Sequence, residues 1–368
     1  MGKTLPFFLF LTSALVFGQK SGSEAIAEKL LKESVVEMEC VGLASGFSID
    51  GKIVWEGGAG YSNTENKNPF TPVTRIRIAS ITKPMTAIAI LQLFEKNKIG
   101  LDNPIQEYLP DFPVKPEGTI TVRNLLNHSS GIDDYQSDKE RENQTNYSTL
   151  VDAVDYFKNR KLISIPGQEF NYTTYGYVVL GLIIEQVSGL RYEDYMRINI
   201  WEPTGMTNTG IEYFGKEYAN KSELFHKNAK GKIKPAEPTN LSDRIPGGGV
   251  YSCVTDMLKF GNAILNNMLI SNRTLETMVE DPHLKKQGNG YGFGWYLYGE
   301  NPSHGNVFGH NGTQTGASTF LMLFHQKRAC VVVLSNTSGA MQNISNITIK
   351  LFDVVGLAKK EMLNQGKP

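Results

Sequence analysis

Strand-like segments lie near both ends of this chain, and helical periodicity dominates the stretch between them. Residues 41–49 and 52–56 carry strand-forming side chains, and Asp50-Gly51 between them is a typical hairpin turn. Strand character returns in residues 291–298, 317–324 and 330–335. This distribution predicts an α+β fold in which both ends of the chain build one antiparallel sheet flanked by helices.

The helical stretch between these strands runs from about residue 80 to residue 266. The clearest apolar periodicities lie at residues 85–97, 178–187 and 256–265, after an N-terminal helix at residues 25–38. No internal repeat or low-complexity linker interrupts the chain, so we expect one domain over residues 22–360 with a mostly helical lobe inserted at about 80–266. A cleft between the sheet and this lobe is the natural place for a functional site.

The first 18 residues resemble a targeting segment. Lys3 gives a positive start, and the apolar run from Leu5 to Phe17 is shorter than the roughly 20 residues that span a bilayer. A buried N-terminal strand or helix is the alternative, but the polar residues 19–24 that follow at once disfavour it. We therefore expect a signal peptide over residues 1–18, no integral membrane segment after its removal, and a secreted or periplasmic protein.

Charge and cysteine content narrow the possible partners. Lys and Arg number 37, and Asp and Glu also number 37, so the overall charge gives no attraction to a nucleic acid. Cys40, Cys253 and Cys330 are the only cysteines, too few and odd in number for a disulfide framework. We expect them to be buried as apolar residues.

Ser80 and Lys83 stand three residues apart at the start of an apolar helical run. This spacing places both side chains on the same face of a helix. A serine hydroxyl becomes a good nucleophile only when a neighbouring group takes its proton. A lysine in a partly desolvated cleft can do so, because burial lowers its pKa. The pair alone is a weak signal, since an ordinary surface helix can carry both residues.

Three further segments make the pattern specific. They are Leu125-Leu126-Asn127-His128-Ser129-Ser130-Gly131, then Phe170-Asn171-Tyr172-Thr173-Thr174 after Pro166-Gly167, and finally Gly309-His310-Asn311-Gly312. With Ser80-Ile81-Thr82-Lys83 they resemble, in order and spacing, the class C β-lactamase and penicillin-binding protein superfamily, which includes D-alanyl-D-alanine carboxypeptidases, D-aminopeptidases and esterases. The resemblance covers roughly residues 25–355 and implies a β-lactamase/transpeptidase-like fold.

The resemblance also implies roles for residues in these segments. Ser80 would be the nucleophile, with Lys83 and Tyr172 moving its proton. The substrate-binding residues would be Thr174, His310, Gly312 and Thr313, and the backbone N–H groups of Ser80 and Thr313 would form the oxyanion hole. His310 would either hydrogen-bond the substrate or tune Tyr172. A phenol near two cations loses its proton more easily, which would let Tyr172 accept one from Ser80.

Two of these residues depart from the pattern of the superfamily. Thr174 stands where most members have asparagine, and a threonine lacks the amide that can donate to a substrate and accept from a lysine. His310 stands where class C β-lactamases have lysine, which removes a permanent positive charge. Both departures disfavour a dedicated β-lactamase.

The sequence therefore predicts an exported serine hydrolase that acts through an acyl-enzyme on amide, peptide or ester bonds, including those of peptides that contain D-amino acids. We expect a small-molecule or peptide substrate and no cofactor or metal, because the histidines and cysteines lack the spacing of zinc ligands. Two alternatives stay open: a β-lactamase of class C type, and a catalytically weak member of the same fold that binds without turnover. The sequence leaves the oligomeric state open.

Overall fold

The secondary structure follows the predicted division of the chain, with most helices between two sets of strands. A computed structural model describes residues 22–38, 40–142, 144–286, 288, 290–301 and 305–365. The strands, in chain order, are β1 Gly42–Ile49, β2 Lys52–Asn63, β3 Asn68–Pro69, β4 Ile76–Arg77, β5 Gly210–Ile211, β6 Phe225–Lys227, β7 Ile233–Pro235, β8 Val250–Ser252, β9 Gly290–Tyr291, β10 Tyr296–Asn301, β11 Gly305–Gln314, β12 Ala317–Phe324, β13 Ala329–Ser335 and β14 Thr337–Ser338.

The helices begin before the first strand and end the described chain. In chain order they are α1 Gly22–Met38, α2 Thr82–Glu95, α3 Val122–Leu126, α4 Asp138–Arg141, α5 Leu150–Phe157, α6 Thr174–Ser188, α7 Tyr192–Met196, α8 Glu202–Thr204, α9 Ile245–Gly248, α10 Val254–Leu265, α11 Asn272–Met278 and α12 Met341–Gln365. None of them is long and apolar enough to cross a membrane. The predicted signal peptide over residues 1–18 lies outside the described residues.

Both ends of the chain contribute to one eight-stranded sheet, as the sequence predicts. Its strand order is β3-β2-β1-β13-β12-β11-β10-β9, and its neighbouring strands pair antiparallel. The N-terminal and C-terminal strands meet where β1 pairs with β13, from Leu43 opposite Ser335 to Ile49 opposite Ala329. The predicted antiparallel α+β fold is confirmed.

Helices cover both faces of this sheet. Successive side chains of a strand point to opposite faces. In β13, Val331 and Val333 pack in an apolar cluster with α1 and α12, whereas Val332 and Leu334 pack in a second cluster with α2, α6 and α10. Because both faces are covered, β1, β12 and β13 are buried along their whole length. The sheet therefore separates the two terminal helices from the helical middle of the chain.

Local signals account for several boundaries. Asp50 and Gly51 have φ angles of 50° and 79°, the left-handed conformations that a tight hairpin turn requires, and the predicted hairpin is confirmed. The helix predicted at 178–187 begins earlier, at Thr174, because the Thr173 side chain accepts a hydrogen bond from the Gly176 N–H and caps it. The three cysteines are buried and unpaired, as expected.

The strand predicted at residues 291–298 is wrong in its middle. The chain leaves the sheet after Tyr291 and rejoins it at Tyr296. Between them Gly294 has a φ angle of 84°, and a Cβ atom there would lie 2.9 Å from the Cβ atom of Ala87 in α2. This close approach to the helix requires a glycine, so the alternation of residue types alone could not reveal the break.

A buried ion pair joins the strands next to the predicted site. Arg77 in β4 donates from Nε to Glu212 Oε1 at 2.9 Å, and both side chains are buried. The same guanidinium donates to the carbonyl oxygens of Thr315 and Thr239 at 3.0 and 3.2 Å. Burial raises the pKa of Glu212, but the charges of Arg77 and Lys221 and their hydrogen bonds outweigh it, so the pKa lies below its usual value.

We expect Glu212→Gln to lower the free energy of unfolding by about 3 kcal/mol, because it leaves the buried Arg77 charge without its counterion. The matched control is Asp102→Asn. It breaks the exposed pair of Asp102 with Arg123, whose side chains are 73% and 37% exposed, and should lower stability by less than about 1 kcal/mol. Urea unfolding followed by circular dichroism measures both. Equal losses would contradict this assignment.

Candidate active site

Ser80 lies in a tight turn that leads directly into α2. The turn is a 3-10 helix over Ala79–Ile81, so Ser80 precedes the α-helix instead of forming its first turn. Ala79 has a φ angle of 50°, which is uncommon for a residue other than glycine. The backbone of β11 runs against this turn, since a Cβ atom at Gly312 would lie 2.4 Å from the Ile78 carbonyl oxygen. Position 312 therefore requires glycine, because the turn that carries Ser80 lies against it.

Lys83, the second residue of α2, reaches Ser80 from inside the protein. Its side chain is fully buried, and Nζ lies 3.2 Å from Ser80 Oγ. Nζ also donates to the carbonyl oxygen of Gly247 at 2.9 Å and to Thr174 Oγ1 at 3.5 Å. Three separate elements, α2, α6 and α9, thus meet at one nitrogen atom.

The surroundings of Lys83 favour its neutral form. Burial lowers the pKa of Lys83 to about 7; the charge of Asp134 acts in the opposite direction, and that of Arg244 adds to the lowering. A large fraction of Lys83 is therefore unprotonated at neutral pH. An unprotonated amine within hydrogen-bonding distance of a hydroxyl can act as a general base.

Tyr172 borders the same cleft, two residues before α6. Its ring centroid lies 4.8 Å from Lys83 Nζ. Burial raises the pKa of Tyr172 well above its usual value, the nearby Tyr296 raises it further, and a hydrogen bond with Ser80 offsets only part of this. The prediction that this phenol loses its proton more easily is therefore wrong. Tyr172 stays protonated at neutral pH, and Lys83 is the group that can accept a proton.

Thr174 is the first residue of α6 and faces the cleft. Its backbone N–H donates to Asp134 Oδ1 at 3.0 Å, and its hydroxyl receives the long hydrogen bond from Lys83. The side chain thus offers a substrate one hydroxyl group. An asparagine would offer an amide that can donate and accept at the same time.

His310 lies behind Tyr172 and not on the wall of the cleft. Its ring is fully buried, and its centroid lies 6.3 Å from that of Tyr172. The network assigns the proton to Nδ1, which donates to the Asn311 carbonyl oxygen at 2.6 Å, while Nε2 accepts from the Tyr291 hydroxyl at 3.0 Å. Burial, together with the charge of Lys83, lowers the pKa of His310 to about 3. The ring is neutral, and both its nitrogens are occupied by protein atoms.

The cleft at Ser80 encloses about 330 Å³. Of the predicted substrate-binding residues, Thr174 and Thr313 line it. The rest of the wall includes Asp134, Tyr135, Arg141, Thr239, Arg244 and Gln314. A Cβ atom at Gly247 would lie 2.7 Å from Thr174 Cγ2, so the wall at α9 requires glycine.

A larger cavity of about 630 Å³ lies elsewhere, bounded by residues such as Tyr147, Glu185 and Tyr213. No lysine is among its lining residues, so it brings no Ser–Lys pair together. Among the described residues, no three His, Cys, Asp or Glu side chains cluster so that they could hold a metal ion. The chemistry available at Ser80, not cavity size, identifies the candidate active site.

Several residues of this site had no predicted role. His128 lies in a segment that carries the family resemblance, but its contacts, like those of Gly247, depend on how distant segments pack. Asp134 and Arg244 carried no local signal at all. Their importance follows only from their positions beside Lys83 and on the cleft wall.

The antiparallel sheet, the inserted helices and the serine beside a buried lysine define a serine hydrolase with the β-lactamase/transpeptidase fold. The family model described as Beta-lactamase matches residues 27–351, and the chain belongs to this family of serine acyl-transferring hydrolases.

Known proteins similar to this chain come from several organisms. The human serine beta-lactamase-like protein LACTB, mitochondrial, is 29% identical, over 79% of this chain and 70% of the relative. Penicillin-binding protein 4* of Bacillus subtilis is 31% identical, over 78% of this chain and 66% of the relative. The D-amino acid amidase from Ochrobactrum anthropi SV3, in complex with L-phenylalanine amide, has the same fold. It superposes with a TM-score of 0.80 at 22% identity, over 92% of this chain and 100% of that one.

Proposed function

We propose that this protein is an exported serine hydrolase that cleaves amide, peptide or ester bonds through an acyl-enzyme on Ser80. The observation that carries the proposal is the fully buried Lys83, whose Nζ lies 3.2 Å from Ser80 Oγ and whose pKa burial lowers to about 7. Such a lysine can take the serine proton near neutral pH, which a solvent-exposed lysine does not do.

The first half of the reaction forms the acyl-enzyme. The Ser80 hydroxyl proton passes to neutral Lys83 while Oγ bonds to the substrate carbonyl carbon. The N–H groups of Ser80 and Thr313 stabilise the resulting oxyanion. Tyr172, which is protonated, gives its proton to the leaving nitrogen or oxygen as the old bond breaks, and recovers a proton from Lys83. Lys83 is then neutral again.

The second half of the reaction releases the acyl group. A water molecule attacks the acyl carbon, and neutral Lys83 accepts its proton through Tyr172. The ester bond to Ser80 breaks, the proton returns to Oγ, and the carboxylic acid leaves. Each cycle consumes one water and restores the side chains of Ser80, Lys83 and Tyr172.

The cleft supports a small amide, peptide or ester as the substrate class. Its volume of about 330 Å³ holds a compact ligand. His310 is neutral and turned away from the cleft, so it cannot replace the permanent cation that class C β-lactamases have at that position. With the single hydroxyl of Thr174, this disfavours the alternative of an efficient β-lactamase. Peptides that contain D-amino acids belong to the proposed substrate class, and the similar D-amino acid amidase supports this.

The proposed location outside the cytoplasm is supported by the sequence of residues 1–18. A short apolar run after Lys3 and a polar stretch from Gln19 are the features of a cleaved signal peptide. The hydrolase domain that we propose over residues 22–360 would follow the cleavage site.

We expect a fluorophosphonate probe to label the protein once, at Ser80, with a rate that rises with pH and is half-maximal near pH 7. The rate rises because deprotonated Lys83 is the active form, and its pKa is lowered to about 7. Peptide mass spectrometry locates the label. The fluorescence of the protein band, on gels of samples quenched at successive times, gives the labelling rate.

Three variants control this experiment. Ser80→Ala should remove the label, and Lys83→Arg should reduce the rate to background, since arginine keeps its proton at accessible pH. Lys96→Arg changes an exposed lysine at the end of the same helix and should leave the rate unchanged. Labelling that persists in Ser80→Ala would show that Ser80 is not the nucleophile and would contradict the proposed function.

We expect Thr174→Asn to raise the turnover of β-lactams and peptides more than that of esters. The new amide adds a hydrogen bond to the acyl-side carbonyl in the transition state, which is worth roughly 1 to 3 kcal/mol, or about one to two decades in kcat/KM. Esters gain less because their leaving group departs more easily. The ratio of kcat/KM for nitrocefin or a D-amino acid amide to that for a p-nitrophenyl ester measures the effect. An unchanged ratio would show that Thr174 does not select the substrate.

A further inference from the structure

His128 bonds to the backbone on both sides of Tyr172. The Asn171 N–H donates to the carbonyl oxygen of His128 at 2.7 Å. The Thr173 N–H donates to the Nδ1 atom of the same residue at 3.2 Å. His128 adopts a φ angle of 59° just after α3, a left-handed conformation outside regular helix or strand. One residue from a distant segment therefore holds the peptide units before and after Tyr172.

The imidazole ring of His128 also holds the phenol ring in place. The two ring centroids lie 4.3 Å apart, at an interplanar angle of 40°. Tyr291 and Tyr177 pack around the same imidazole, with centroids 4.7 and 5.1 Å away. His128 is fully buried in this cluster, so its imidazole is a fixed surface against which the ring of Tyr172 packs.

Packing alone does not explain a histidine at this position. Since Nδ1 accepts a hydrogen bond, the proton of the neutral ring is on Nε2, and Nε2 is buried without a hydrogen-bond partner among the described residues. A phenylalanine would fill the same space without burying an unpaired N–H. The feature that only the histidine supplies is the acceptor at Nδ1, and that acceptor serves the residue next to Tyr172.

We propose that His128 is a positioning residue that holds the Tyr172 hydroxyl at the distance and angle needed for proton transfer at Ser80. This inference rests on the proposed function, because it gives His128 a role in the acyl transfer at Ser80. His128 acts through Tyr172: it is fully buried, and the atoms it holds belong to the segment that carries the phenol.

Two substitutions separate the acceptor from the ring. His128→Leu fills part of the same space with an apolar side chain and removes the hydrogen-bond acceptor. His128→Asn replaces the ring but places a carbonyl oxygen the same number of bonds from the backbone as Nδ1, and asparagine tolerates a positive φ angle. We expect kcat/KM for a p-nitrophenyl ester to fall by about tenfold to a hundredfold in His128→Leu, because a small misplacement of a proton-transfer group has effects of this size. In His128→Asn it should stay within about threefold of the unmodified protein, a limit that follows from the retained acceptor.

A double-mutant cycle with Tyr172→Phe provides the decisive measurement. If His128 acts by placing the hydroxyl of Tyr172, then adding His128→Leu to Tyr172→Phe should lower kcat/KM by less than about twofold, because the group it positions is already gone. A full tenfold or larger further loss in the Tyr172→Phe background would overturn the proposal. So would a loss in His128→Asn as large as that in His128→Leu.

Folding and the proposed function are checked separately. Thermal unfolding of each variant establishes that it is folded. If His128→Leu is not folded, His128→Phe, which fills the space of the imidazole ring but has no acceptor, takes its place in the cycle. If the unmodified protein does not become acylated at Ser80, the proposed function itself is wrong. Normal acylation together with independent effects of the two substitutions would overturn only the role of His128.

Discussion

The fully buried Nζ atom of Lys83 is the constraint around which the site is organised. Its three described hydrogen-bond partners, on Ser80, Gly247 and Thr174, are uncharged oxygens. A buried ammonium ion with only neutral partners is unfavourable, so the group releases its proton more readily. The helices α2, α6 and α9 must approach closely enough to surround this nitrogen, and the glycine at 247 permits that approach.

Aromatic rings lie beside Lys83, with the centroids of Tyr172 and Tyr177 4.8 and 5.7 Å from Nζ. Tyr172, Tyr177 and Tyr291 pack against the two buried histidines, His128 and His310, and burial raises the pKa of each phenol and lowers that of each imidazole. All five side chains are consequently neutral at physiological pH. The cluster thus excludes water from Lys83 without adding a charge that would fix its proton. A neutral Lys83 is therefore available as the general base, and a protonated Tyr172 is available as the general acid.

Local chemistry determined which parts of this arrangement could be predicted from the sequence. The Asp50-Gly51 hairpin, the helix after Ser80 and the Ser80–Lys83 pair depend on residues close in the chain, and the structure has all three. The break after Tyr291 and the orientation of His310 depend on packing between segments far apart in sequence, which residue patterns do not record. The high pKa of Tyr172 has the same origin, because burial by other segments outweighs the hydrogen bond with Ser80.

A measurement of the pKa of Lys83 decides whether this residue can be the base that activates Ser80. Lysine labelled with ¹³C at the ε carbon, followed by NMR across a pH titration, reports each ammonium group, and the resonance missing from Lys83→Arg identifies the one of interest. We expect a midpoint at about 7. A midpoint near the roughly 10.4 of a lysine in water would mean that Lys83 stays charged at neutral pH and cannot be the base that activates Ser80.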